Sequence, residues 1–233
     1  MSRGKEKNIG IVLAILLVVI LWGNARIQAS AYEMIDGDLT YEEGAVDNIS
    51  PEMRELERQK LNALYRNRVS YPSGMTLAVT RFGQETNYYC GPATVKQVVH
   101  WVNGSSNSQQ WYTNKLGTTT EGTNMTDIPG VVNDCINEQH YVYSSMGTQA
   151  EWMNKIRSSI YNERPAILDI NTTQLYADKK FPYKTDGHFV NVSGYSATQV
   201  RITDPNDAAG NVWYDIDVLY SANDAHFRKA IIW

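Results

Sequence analysis

The most constraining feature of this chain is a cysteine followed at once by glycine and proline, Cys90-Gly91-Pro92, with a valine-rich stretch behind it. Proline lacks a backbone N–H and holds φ at about −65°, so it suits the first turn of a helix and disrupts any deeper position. Ala93, Val95, Val98, Val99 and Val102 then supply an apolar helical face, and Asn103-Gly104 supplies a stop. A helix therefore begins at the cysteine. The first N–H groups of a helix have no intrahelical acceptor, and the macrodipole favours negative charge there. A thiol in that position is a candidate nucleophile. Six residues upstream, Gln84 carries an amide able to donate to an oxyanion forming beside the sulfur. A lone cysteine in apolar surroundings is also commonly a small buried hydrophobe, so the rest of the chain has to supply its partners.

Bulk properties narrow the class. The chain has 233 residues, 42% hydrophobic and 20% charged, which suits one globular domain with an N-terminal extension. Its net charge of −4, with no basic cluster beyond the extreme N-terminus, argues against nucleic acid as a partner. Fifteen Tyr and six Trp against four Phe favour amphipathic aromatics, which suit a groove or a polar-rimmed surface. Arg3, Lys5 and Lys7 precede an apolar run from Ile9 to Trp22, and Ala29-Ser30-Ala31 follows, the layout of a secretory signal over residues 1–31. The apolar run falls short of the roughly 20 residues of a spanning helix. An exported chain is expected, with membrane attachment only if that segment is retained as an anchor. The two cysteines, Cys90 and Cys135, pose a disulfide question. Cys135 follows Ile128, Val131 and Val132 at helical spacing, so it is expected to face the core as packing, without a disulfide.

Residues 32–74 read as an acidic linker and then a helix over 50–65, N-capped by Ser50 and started by Pro51. The thin stripe of Met53, Leu56, Leu61, Leu64 and Tyr65 suits a helix docked at the domain edge; a pro-segment covering a groove is the sharper alternative. Residues 75–233 form the main domain. Its first half is helical: after a strand at 75–79 and the helix from Cys90 come helices at 108–116 and around Cys135, and one opened by the capping box Thr148-Gln-Ala-Glu151. A short strand is expected at 141–145. The second half is sheet: strands at 165–170, 188–195, 199–203 and 212–216, with a hairpin at Ala197-Thr198 and a last helix over 221–229. Helices first and antiparallel strands after make an α+β fold.

The run from Gln84 to Cys90-Gly-Pro-Ala93 resembles the nucleophile motif of the papain-fold cysteine peptidases related to the double-glycine leader peptidases of bacteriocin exporters. Gly187-His188-Phe189, running on to Gly194-Tyr195, resembles the histidine strand of that family, and Asp204-Pro205 its aspartate turn. The resemblance covers residues 76–233 and implies a papain-like fold with Cys90 as nucleophile, His188 as proton partner, Asp204 as the group orienting the imidazole, and Gln84 in the oxyanion hole. Pairing of 188–195 with 199–203 is compatible with it, because it sets the start of one strand beside the end of the other. It implies a peptide or protein substrate and no cofactor. The four histidines show no paired metal-ligand spacing, so no metal is expected. His100 is nearly three turns from Cys90 on the same helix, and His140 and His226 read as ordinary surface or core residues. The exporter peptidases are fused to membrane-spanning transporters and face the cytoplasm, so fold and site carry over better than the substrate. Cleavage of cell-wall cross-link peptides, or a catalytically inactive binding module on the same scaffold, are the alternatives. The four site residues weigh against the last.

Overall fold

The structure, a computed structural model, describes residues 49–66 and 69–233. The expected export segment and most of the acidic stretch after it lie outside them. Helix α1 (Pro51–Arg66) starts where Ser50 and Pro51 place it, with the Ser50 hydroxyl accepting from the Met53 amide at 3.2 Å. Its few apolar residues are supplemented by a half-buried lysine. The Lys60 ammonium donates to the carbonyls of His140 (2.8 Å) and Trp233 (2.6 Å) and lies 4.4 Å from the Trp233 ring centroid. Burial pulls its pKa down to about 7. This clamp seats α1 against β2 (Tyr143–Ser145) and α5 (Gln149–Tyr161).

Between them come β1 (Met75–Thr76), α2 (Cys90–Asn103), α3 (Gln109–Leu116), a turn of 3-10 helix at Met125–Asp127 and α4 (Ile128–Ile136). Gly104 ends α2 in the left-handed conformation, and Ser108 caps α3 by accepting from the Trp111 amide. The Thr148–Glu151 box is reciprocal, hydroxyl to amide and carboxylate to amide. After α5 follow β3 (Ala166–Ile170), α6 (Thr173–Ala177), β4 (His188–Tyr195), β5 (Gln199–Thr203), β6 (Asn211–Asp215), α7 (Ile216–Asp224) and β7 (Ala230–Ile232).

The strands form one antiparallel sheet in the order β2-β7-β3-β4-β5-β6, with β1 laid on β4. Alternation along the strands divides the core. Ile167, Phe189 and Ile232 join Val95, Val98 and Val99 of α2, whereas Leu168, Ile170, Val190 and Ile231 join Trp152, Ile156 and Ile160 of α5 with Leu219 and Ala222 of α7. With helices on both faces, β3 and β4 are buried along their whole length. The site lies where α2 meets the start of β4.

Several expectations change. The strand at 75–79 shortens to two residues, although the Leu77 amide still bonds to Ser193 O at 2.7 Å. Between the strands expected at 165–170 and 188–195, where no element was expected, lies the single-turn-and-a-half helix α6. The last helix begins at Ile216 rather than 221, and the C-terminus is a strand, because the β-branched pair Ile231-Ile232 fills the gap between β2 and β3. Cys135 is half-buried, beside Trp111 and Lys115 at a surface cleft, since the residues α4 buries fully are Ile128, Pro129, Val132 and Asn133. Both thiols are free.

Candidate active site

Cys90 is the first residue of α2, and no side chain caps that helix. The first backbone bond of the helix runs from Ala93 N to Tyr89 O, so the N–H groups of Cys90 and Gly91 have no intrahelical acceptor, and Pro92 has no N–H to satisfy. One turn further on, the Thr94 hydroxyl donates to Phe189 O at 3.0 Å. This ties the helix to β4 one residue beyond His188 and holds the nucleophile end of the helix against the start of that strand.

β4 and β5 pair with Asn191 opposite Thr203, which carries Asp204 to the His188 end of the sheet. Asp204 has no solvent exposure, and its Oδ1 lies 2.8 Å from Nε2 of His188. The Asn206 amide donates to the same oxygen at 2.7 Å, and the Tyr183 hydroxyl donates to Oδ2 at 2.5 Å. With Nε2 engaged by Asp204, Nδ1 is the ring nitrogen left for the Cys90 side chain, whose proximity favours a charge on the imidazole. Burial opposes a charge on His188. The bonds to the Asp204 carboxylate and to Cys90, with their charges, outweigh it and raise its pKa to about 10. Cys90, His188 and Asp204 thus form one connected line.

Gln84 reaches the same place through its backbone, whose N–H donates to Pro205 O at 3.0 Å. Arg81 strengthens that link by donating to Asp204 O (2.8 Å) and Pro205 O (3.2 Å) and pairing with Asp207. The Gln84 side chain donates one of its two amide hydrogens to Thr86 O at 2.9 Å, and its Oε1 has no partner among the described residues. The second amide hydrogen has no acceptor among the hydrogen bonds of the described residues.

Several supporting residues gave no sequence signal that assigned them a role, Tyr183 having read equally as groove lining or as packing. Gln109 of α3 donates to Gly83 O (2.6 Å) and accepts from the Glu85 amide (3.0 Å), gripping the Gln84 loop from both sides. Gln97 donates to Phe82 O at 2.9 Å and accepts from the Asn191 side chain. Its position among Val95, Val98 and Val99, a glutamine on an apolar helix face, was the available hint. Tyr183 packs edge-on to His188 with centroids 5.3 Å apart, as well as bonding Asp204. Removing that hydroxyl in Tyr183→Phe is expected to lower kcat/KM about tenfold with KM unchanged, the loss of one charge-assisted hydrogen bond. A steady-state comparison alongside thermal melts checks it. An unchanged kcat would mean that Asp204 is held without Tyr183.

Comparison with known proteins follows this geometry. The model of the Peptidase C39 like family matches residues 76–232. Among solved structures, a C39-like peptidase from Bacillus anthracis is 14% identical with a TM-score of 0.53, covering 69% of this chain and 97% of its own. A cysteine protease from Carica candamarcensis, solved with E-64, is 12% identical with a TM-score of 0.50, covering 70% and 97%. A double glycine motif protease from an AMS/PCAT transporter, solved with its leader peptide, is 16% identical with a TM-score of 0.46, covering 68% and 91%. No curated protein matches the chain. The fold is papain-like, a mixed α+β arrangement.

Proposed function

The chain belongs to the Peptidase C39 like family of cysteine peptidases, and we propose that it hydrolyses peptide or isopeptide bonds outside the cytoplasm by a Cys-His-Asp mechanism. The observation that carries this reading is the imidazole of His188, bonded to Asp204 through Nε2 and to the uncapped helix start at Cys90 on its other side. The proposed attacking form is the thiolate, with the His188 imidazolium beside it. The sulfur attacks the carbonyl carbon, and the displaced electron pair goes to the carbonyl oxygen. The Cys90 N–H and the free amide hydrogen of Gln84 serve that oxyanion. The imidazolium then gives its Nδ1 proton to the leaving nitrogen as the C–N bond breaks, leaving a thioester and neutral His188. Water attacks the thioester and gives one proton to Nδ1; as the C–S bond breaks the sulfur recovers its electron pair and a carboxylic acid leaves, losing its remaining proton to solvent. Asp204 holds one tautomer throughout and stabilises the cation without taking the proton. The basic and apolar N-terminal pattern supports an extracytoplasmic setting.

The test is the rate of Cys90 alkylation by iodoacetamide between about pH 5 and pH 9, with mass spectrometry separating Cys90 from Cys135. Rapid labelling persisting below neutrality, and displaced in His188→Ala toward the ordinary thiol range near about 8.5, is expected. Curves that superimpose in the two proteins would remove the ion pair and with it the peptidase mechanism.

A further inference from the structure

The two donors assigned to the oxyanion, the Gln84 side-chain amide and the Cys90 N–H, sit at opposite ends of one loop that contains neither helix nor strand. Its shape depends on what grips it. Inside the loop, the Gln84 side chain and the Tyr89 N–H both donate to Thr86 O, at 2.9 and 3.3 Å. From outside, the first two residues of α3 take one end each. Gln109 is 2% exposed, and both polar atoms of its side chain are spent on the chain neighbours of Gln84. Nε2 donates to Gly83 O at 2.6 Å, and Oε1 accepts from the Glu85 N–H at 3.0 Å. Gln110 takes the other end: its Oε1 accepts from the Tyr89 hydroxyl at 2.8 Å, and its Nε2 donates to Asn114 Oδ1 at 3.1 Å, one turn along α3. Tyr89 directly precedes Cys90 and is buried. The helix that supplies both glutamines is itself fixed. Ser108 caps it, the Thr113 hydroxyl donates to Gln109 O at 2.9 Å, and Tyr112 and Leu116 are buried in one cluster with Val95, Val98 and Val99 of α2. Burying the Gln109 amide costs free energy that its two bonds offset, and both go to the loop, so packing of α3 on α2 is no account of a glutamine there.

We infer that Gln109 and Gln110 are positioning residues for the oxyanion hole: Gln109 sets the Gln84 amide, and Gln110, through the Tyr89 hydroxyl, sets the Cys90 N–H. This rests on the peptidase reading of the site. The hydrogen bonds of both side chains go to the loop and to α3, not to the side chains of Cys90, His188 or Asp204. Their influence is therefore confined to steps in which a carbonyl oxygen becomes an anion, because the two donors act there and a displacement of about 1 Å is enough to weaken them.

The experiment compares two reagents on Cys90, in protein carrying Cys135→Ala and with the rate of Cys90→Ala subtracted. p-Nitrophenyl acetate is attacked at its carbonyl carbon: the S–C bond forms, the electron pair passes to the oxygen, and it returns as p-nitrophenolate leaves without needing a proton. Its rate reads the oxyanion hole as well as the thiolate. Iodoacetamide loses iodide in a direct displacement at carbon and forms no oxyanion, so its rate reads the thiolate alone. The ratio of the two rates is the readout, and general damage to the site moves both rates together. Gln84→Ala is expected to lower the ratio about a hundredfold, the loss of one oxyanion donor. Gln109→Met, which fills the same space without the bonds, should lower it about tenfold and add nothing in the Gln84→Ala background, where its donor is already gone. Gln110→Ala, at an exposed position, should lower it about threefold and keep that effect in Gln84→Ala, since it acts on the other donor. This variant decides the matter if Gln109→Met does not fold. An unchanged ratio in either folded variant would overturn the role of that glutamine. A Gln109→Met effect of equal size with and without Gln84 would show that it does not act through the amide. If low-pH labelling of Cys90 persists alongside such a result, the peptidase reading survives and this inference falls; a wild-type Cys90 that labels only in the ordinary thiol range would sink both.

Discussion

Asp204→Asn is expected to lower kcat/KM by about 10²–10⁴-fold while leaving the fold intact. The geometry separates shape from charge at this position. Three donors converge on the carboxylate: the His188 ring and the Asn206 amide at Oδ1, the Tyr183 hydroxyl at Oδ2. An asparagine can present its oxygen to the first two and its NH2 to Tyr183, whose hydroxyl turns to accept. Every buried group then keeps a partner, so the melting temperature should move little. The negative charge is what disappears. The Asp204 bond and charge are among the causes that hold His188 protonated against its burial, up to about 10. Without them desolvation takes over, the midpoint of His188 falls, and the cation is lost from the neutral range. The activity profile should therefore lose its alkaline side first: wild type keeps the protonated partner as pH rises toward the raised value, the variant does not. Kinetics across that range, with melts at each pH, check both halves. Full activity in a folded Asp204→Asn would mean that Cys90 and His188 work without their third member.

How much of this was legible in the chain depends on whether a residue's role is set locally. Pro92 behind Cys90, the reciprocal box at Thr148 and Glu151, and the hairpin turn between β4 and β5 are short-range signals, and the structure has each of those elements in place. The resemblance to the peptidase family supplied what local signals cannot, the meeting of His188 with Asp204 and Cys90. Residues whose roles arise only from packing stayed hidden. Tyr183 sits in a polar loop and became informative once its hydroxyl was found on Asp204. Gln109 reads as one of two ordinary helix glutamines, yet it is buried across the Gln84 loop while its neighbour Gln110 is exposed. His226 was read within a final helix, but α7 ends at Asp224 and the histidine turns inward just after it. The terminal strand was missed because three residues carry no period, and only the partners β2 and β3 make them a strand.

Gly91→Ala is expected to reduce activity about a hundredfold and to destabilise the protein by about 1–3 kcal/mol, with both losses recovered by adding Thr123→Gly. A Cβ on Gly91 would fall 2.3 Å from Oγ1, 2.7 Å from Cβ and 3.1 Å from Cγ2 of Thr123, well inside van der Waals contact. Thr123 has little room to retreat. Its hydroxyl is bonded to that of Thr118 at 2.8 Å, Thr119 and Gly122 close the loop through paired backbone bonds of 3.1 and 3.0 Å, and Met125 anchors the far end with no solvent exposure. The added methyl must therefore displace either the loop or the first turn of α2. Because the nucleophile is the preceding residue, the second course moves the sulfur relative to His188, and about 1 Å is enough to cost the expected hundredfold. Alternatively, if the loop moves, stability falls while the labelling rate of Cys90 holds. Melts and alkylation rates on Gly91→Ala, Thr123→Gly and the double variant separate the two courses through their coupling. Wild-type behaviour in Gly91→Ala, or a double variant no better than the single, would show that the close approach of Thr123 does not constrain the helix start. The expected recovery would instead make glycine at this position a requirement of the neighbouring loop as much as of the helix that carries Cys90.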